Sequence, residues 1–458
     1  MIIHPTRLKI DYPVKILLIL SLLILQISCD TEKVNNLNSF KKKISENTFN
    51  KLQDRLNEVN TDIQESGIVY DSISKEKLLK GYSYGEYYDW DLYYENIYLS
   101  YYGISDYCFS NLNVFLSLQH ENGFIPRSFG AKNYGAKEMF KPFIAQIVLL
   151  GSLQKEDFSW AENQYPKLEK YIHRWMEYDK DGNGLMYWGE FETGENGAYH
   201  SGMDNQFSRT IGRSEGVDLN CYLVRELEAM AVIAAQLQKS DDAKKFRKQA
   251  KVLTSRINEI LWDEAAGFYY DRNEDTGETT KVKSISGFAP LWSKVASKKQ
   301  ANILVMQHLT NPKEFWTKYP VPTYAINEAD YYQGSKTGEC NWRGSSWIPT
   351  NHMMIHGLNS YGYNELARDI AYKSFDMVLN KNETTREFFN AETGEGYGLK
   401  PFYGWSTLAY FMPLEVELNY NPTLIDKDYK ILKLSNLIDE GVIKESLSQR
   451  VLIPNSVY

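Results

Sequence analysis

The chain has 458 residues, 43% hydrophobic and 24% charged, which is ordinary for a folded protein and enough to bury a large core. A formal charge of −8 excludes nucleic acid as a natural partner. Aromatic residues make up 14%, with 34 Tyr against 20 Phe and 10 Trp. A ring with a polar tip suits a wet, sugar-stacking groove, and it suits a core equally well.

At the N-terminus, Arg7, Lys9 and Lys15 precede an apolar run from Ile16 to Ile27 that ends at Ser28-Cys29-Asp30. This order predicts a secretory signal over residues 1–28, too short to span a bilayer. Cys29 directly after Ser28 resembles a bacterial lipobox, although Gln26 and Ile27 depart from the usual pattern. Lipidation of Cys29 is therefore expected, with residues 29–38 as a polar tether and an extracytoplasmic, membrane-anchored location. Membrane contact would run through that lipid alone.

From residue 39 onward, helical periodicity recurs in pairs. Ser39–Asn60 is followed by Leu92–Tyr102 and Ile104–Leu118, then Lys141–Leu153 with Phe158–Tyr178. Val217–Leu237 pairs with Asp241–Trp262, Gly287–Val295 with Lys298–Leu309, and Ser345–Leu358 with Asn364–Leu379. Trp405–Val416 would close against the first. Roughly six helical hairpins in one domain predict an all-α (α/α)6 toroid over residues 39–458. A superhelix of repeats is the alternative, but no fixed period is visible. Phe268–Lys283 reads as an inserted β-hairpin. Cys108, Cys221 and Cys340 are far apart and odd in number, so neither a disulfide framework nor a zinc site is expected. With seven His, a His-based metal centre is not expected either. The chemistry should rest on carboxylates and needs no cofactor.

Between two helical stretches lies an irregular loop, Tyr187–Arg209, centred on Ser201-Gly202-Met203-Asp204-Asn205. Such loops tend to carry function, although an Asx turn would explain the Asp equally well. Just before it, Asp179, Asp181 and Asn183 with Glu190 at the twelfth position satisfy the spacing of a calcium loop. A bound calcium would brace the loop that delivers Asp204; a polar turn satisfies the same spacing.

Four stretches in order carry a family resemblance: Tyr88-Asp89-Trp90-Asp91; Asn122 to Arg127 with Lys141-Pro142; Ser201 to Asn205; and Asn341 to Pro349 with Glu387 to Trp405. The chain resembles glycoside hydrolase family 63 and the mannosylglycerate and glucosylglycerate hydrolases, with trehalases as more distant relatives. The resemblance implies Asp204 as general acid and Glu387 as general base, with Glu392 and Glu395 as rivals for the base. It also implies Trp90, Trp342 and Trp405 as pocket walls, and Asp91 and Arg343 as holders of sugar hydroxyls. Arg127, Lys141 and Tyr199 complete the expected substrate site. Lys141 stands where relatives often have Gln, and His200 where they often have Glu.

The expected activity is inverting hydrolysis of α-glucosidic or α-mannosidic bonds in short glycosides, using one protonated and one ionised carboxyl group. A polysaccharide lyase on a similar toroid would use Tyr and His, and the scarcity of His speaks against it. A non-catalytic glycan-binding surface lipoprotein would need only the aromatic residues and the anchor.

Overall fold

The computed structural model describes residues 45–426, apart from 73, 82–84, 131–134, 192–196 and 211. The expected signal, Cys29 and the tether lie outside the described residues. Among those described, no helix is long and apolar enough to cross a membrane. The longer helices, in chain order, are α1 (Glu46–Asp62), α2 (Asp89–Ser100), α3 (Asp106–Ser117), α4 (Ile144–Lys155), α5 (Ser159–Trp175) and α6 (Val217–Gln236). They continue with α7 (Ser240–Arg256), α8 (Ala289–Trp292), α9 (Lys298–Ile303), α10 (Ile348–Ser360), α11 (Asn364–Asn380) and α12 (Met412–Glu417).

The even-numbered helices form a closed inner ring. Helix α2 packs on α4, α4 on α6, α6 on α8 and α8 on α10. Then α10 packs on α12 and on the 3-10 turn Trp405–Tyr410, which returns to α2. The expected (α/α)6 toroid is thus present, closed by its last segment against its first ring helix. Burial explains which helices go inside. All 12 residues of α2 are buried, so it has no polar face to offer water. In contrast, α7 buries only Ala243, Phe246, Ala250 and Leu253, a single stripe at helical spacing, and it lies outside against α6. Cys108 and Cys221 are buried in α3 and α6 as small core residues.

Helix starts are set by polar side chains and Pro rather than by the apolar pattern. Helix α4 begins at Ile144 instead of Lys141, because the Lys141 N–H donates to Asp89 Oδ2 at 2.8 Å and Pro142 has no N–H to give. Helix α2 begins three residues earlier than periodicity implied, with Asp89 and Asp91 in its first turn, where the helix dipole favours acids. The expected helix Gly287–Val295 shrinks to a 3-10 turn, Ile285–Phe288, followed by α8.

Strands are short antiparallel pairs at the ends of the ring. Strand β1 (Glu86–Tyr88) pairs with β2 (Ser128–Gly130), and β3 (Phe388–Phe389) pairs with β4 (Gly396–Tyr397). The expected hairpin Phe268–Lys283 is only partly formed. Its turn closes where Gly277 N–H donates to Asn273 O at 2.8 Å, with Gly277 at φ +75°. Phe268–Tyr269 instead pairs with Trp262–Asp263, and Arg272–Asn273 with Ser214–Glu215.

Candidate active site

One mouth of the ring holds a cavity of about 200 Å³ lined by Tyr88, Trp90, Asp91, Arg127, Gly202, Asp204, Cys340, Trp342, Trp347, Glu387 and Trp405. Its walls are tryptophan. Trp342 stacks on Trp347 at 3.7 Å between ring centroids, and Trp90 approaches both Trp342 and Trp405 at 5.7 Å. Four indoles in mutual contact hold each other's orientation, so the wall is shaped before any ligand arrives.

Local structure delivers each group. Strand β1 brings Tyr88 to the rim, and the first turn of α2 carries Trp90 and Asp91 inward. Beneath Trp90, Lys141 Nζ is ion-paired to Asp89 at 2.9 Å, with both side chains fully buried. The ammonium also lies 5.0 Å from the Trp90 ring centroid. Gly202, at φ +74°, makes the turn that turns the chain out to Asp204; a Cβ there would meet Lys141 Cε at 3.1 Å. Asn205 then staples this loop to the neighbouring one. Its Oδ1 accepts from Trp342 N at 2.8 Å, and its carbonyl accepts from Arg343 Nε.

Asp204 and Glu387 meet the same cavity in unlike surroundings. Asp204 keeps 37% of its side chain open, with Arg127 Nη2 at 4.0 Å from Oδ1. Burial pushes its carboxyl up to about 6; Arg127 and Lys141 pull against that rise and Glu387 adds to it. Asp204 Oδ1 and Arg127 Nε are buried without a hydrogen-bond partner among the described residues. Glu387, in contrast, is held as an acceptor. Its Oε2 takes the Leu399 N–H at 3.0 Å, and Cys340 Sγ lies 3.4 Å from Oε1. Trp405 Nε1 donates to the Glu387 carbonyl at 2.8 Å, fixing that wall residue to the strand that bears the carboxylate. Gly398 is required here, since a Cβ would fall 2.3 Å from Oε2. Asp91 is the third carboxyl on the cavity; burial, then Glu95 and Asp89, hold its pKa well above the usual range.

Of the residues expected at the substrate, Trp90, Asp91, Arg127, Asp204, Trp342, Glu387 and Trp405 line the cavity. Glu392 and Glu395 are exposed and outside it; they accept from Tyr331 and Tyr397 hydroxyls instead. Three other expected residues do not line it. Lys141 reaches Asp89 behind Trp90 rather than the cavity. Tyr199 points its ring to solvent, 54% exposed, and contributes only its carbonyl, which accepts from Arg127. Arg343 holds the Asn205 carbonyl and does not line the cavity. Sequence reading missed Tyr88, Cys340 and Trp347 as lining residues. Tyr88 and Trp347 belong to the matched stretches, and their adjacency to Trp90 and Trp342 was the available signal; Cys340 carried none.

His200, fully buried, bonds the Met139 and Gly189 backbones through its two ring nitrogens, and burial brings its pKa down to about 3. It is a neutral strut behind the Asp204 loop. The calcium-loop expectation is altered: Asp179 and Asp181 group with Glu274, while Glu190 lies apart, 3.8 Å from Lys137. The carboxylates of Asp179, Asp181 and Glu274 already accept backbone N–H groups at 182, 184, 183 and 180. Among the described residues, His352, His356 and Glu415 also lie together.

The model of the mannosylglycerate hydrolase MGH1-like glycoside hydrolase domain matches residues 84–406. A mannosylglycerate hydrolase of Thermus thermophilus is 31% identical over 199 residues, which are 43% of this chain and 44% of the relative. A cytosolic neutral trehalase of Kluyveromyces lactis is 28% identical over 195 residues, 38% of this chain and 26% of the relative. The chain thus covers less than half the length of these curated relatives. Among solved structures, a family 63 mannosylglycerate hydrolase from Thermus thermophilus in complex with Tris and D-glycerate superposes with a TM-score of 0.63 at 19% identity, covering 79% of this chain and 99% of that one. The neutral trehalase of Saccharomyces cerevisiae gives 0.61 at 18% identity, covering 76% of each chain. These two likenesses concern the fold alone. With all four ordered stretches inside the matched 84–406, the chain belongs to the mannosylglycerate hydrolase MGH1-like glycoside hydrolase family.

Proposed function

We propose that the protein is an inverting α-glycosidase that cleaves short α-linked glucosides or mannosides with Asp204 as general acid and Glu387 as general base. The observation that carries this reading is the pair of carboxyl groups in unlike surroundings on one tryptophan-walled cavity. Burial lifts Asp204 to about 6, so it holds a proton in mildly acidic solution. That proton goes to the glycosidic oxygen as the bond breaks. Glu387, accepting the Leu399 N–H, takes a proton from a water that attacks the anomeric carbon from the opposite face. The Arg127 guanidinium, 4.0 Å from Asp204, stabilises the carboxylate left behind. Trp90, Trp342, Trp347 and Trp405 stack on the sugar, and Asp91 bonds its hydroxyls.

A panel of α-linked substrates, with trehalose, mannosylglycerate and glucosylglycerate among them, tests this by release of free sugar. No hydrolysis of any member by the wild-type protein, with binding retained, would favour a non-catalytic glycan-binding role. The same proposal places the enzyme outside the cytoplasm on a lipid at Cys29, serving oligosaccharide scavenging. Wild-type protein should then partition into detergent and Cys29→Ser protein into the aqueous phase; a membrane-bound Cys29→Ser variant would refute the anchor.

A further inference from the structure

His352, His356 and Glu415 bring three ligand-capable atoms within 4.8 Å of one another, and none of the three lines the cavity. The two histidines are four residues apart on α10, which puts both imidazoles on one helix face, the spacing used by helices that bind zinc. Glu415 meets them from α12. The edges of the triangle are nearly equal: His352 Nε2 and His356 Nε2 each lie 3.0 Å from Glu415 Oε2, and the two Nε2 atoms are 3.3 Å apart. Ligands about 2.0–2.1 Å from a tetrahedral zinc stand about 3.3–3.4 Å from each other, so the three atoms already have close to the spacing such an ion sets.

Both rings turn their polar contacts to this one point, since neither Nδ1 has a hydrogen-bond partner among the described residues. The Tyr101 hydroxyl donates to the same Glu415 carboxylate, orienting it and tying the end of α2 into the cluster. Two imidazoles and one carboxylate suit a borderline transition metal; calcium and magnesium would demand more oxygen ligands. Exposure is 0% for His352, 2% for His356 and 1% for Glu415, so substrate cannot reach the cluster, which points to a structural role.

We infer that His352, His356 and Glu415 form a structural site for zinc or a similar divalent transition metal, which clamps α10 to α12 where the ring closes. Full-length protein produced in zinc-supplemented medium and gel-filtered over a mild chelator should retain about one equivalent of zinc per chain. It should also melt at a higher temperature than protein produced in zinc-depleted medium. Glu415→Gln and His356→Gln should each bring bound zinc below about a tenth of an equivalent. Asp179→Asn, which alters the separate acidic cluster, should leave it in place. Cobalt-grown wild-type protein should show the visible absorption of a tetrahedral nitrogen and oxygen site, a readout that does not depend on the variants folding. Wild-type protein without stoichiometric metal would overturn the site, as would metal that survives Glu415→Gln or is lost in Asp179→Asn; the cluster would then be a hydrogen-bonded His-Glu-His network.

Discussion

Two arginines, Arg209 fully buried and Arg127 partly exposed, differ in how far their polar atoms are engaged. Arg209, in the loop after Asp204, is fully buried and fully engaged: it bonds Asp218 at 2.8 Å, Asp271 at 3.1 Å and Ser286 at 2.7 Å. Arg127, at the cavity, has an Nε with no hydrogen-bond partner among the described residues and stands 4.0 Å from a carboxylate oxygen that also lacks one. An unpaired buried polar group costs stability, so a native fold keeps such groups chiefly where a ligand will complete them. The paired network is scaffold, and the proposed function assigns the unpaired pair to the substrate.

The comparison predicts opposite responses to mutation. Arg209→Met leaves Asp218 and Asp271 buried without their partner and should cost about 3–5 kcal/mol, read as a lowered urea midpoint. A midpoint unchanged in Arg209→Met would erase the distinction. Asp204→Asn and Glu387→Gln should act the other way round. Each should lower kcat by at least ~100-fold, a barrier increase of about 2.7 kcal/mol, with the urea midpoint unchanged. Glu392→Gln and Glu395→Gln, both outside the cavity, should leave kcat within about twofold.

A pH profile sharpens the contrast further. Asp204 must be protonated to act, so kcat/KM should fall as pH rises through about 6, and a flat profile across that range would contradict its role as acid. A second pH dependence concerns Glu95, which burial raises to about 8 in the folded protein against an ordinary 4.5, with the Gly81 N–H drawing it back. A raised folded value means that the folded state holds the proton more tightly. Its stabilising contribution is present below about 4.5 and is lost as pH rises towards 8. The melting temperature should therefore decline from pH 5 to pH 8, and Glu95→Gln should flatten that decline.

Much of the ring was legible because helices buried on all sides and helices buried along one stripe leave different apolar patterns, as α2 and α7 do. The cavity was legible where chemistry-bearing residues cluster in the chain, as in Trp90-Asp91 and Asp204. What sequence could not show is direction. Lys141, Tyr199 and Arg343 are each within a few residues of a cavity group, yet their side chains turn to Asp89, to solvent and to Asn205. Long-range partners were equally hidden. Glu274, not Glu190, joins Asp179 and Asp181, because pairing of Arg272–Asn273 with Ser214–Glu215 carries it there. The four-residue spacing of His352 and His356 was readable in the sequence, but their partner Glu415, 59 residues beyond His356, was not.

The central claim is that Asp204 and Glu387 act on opposite faces of the sugar with a water between, which requires the carboxyl groups to be about 6.5–9.5 Å apart. Proton NMR of the first sugar released from the best α-linked substrate, recorded before mutarotation, tests this directly. The account predicts that the β-anomer forms first. An initial α-anomer would mean a covalent intermediate on one carboxylate and would contradict it.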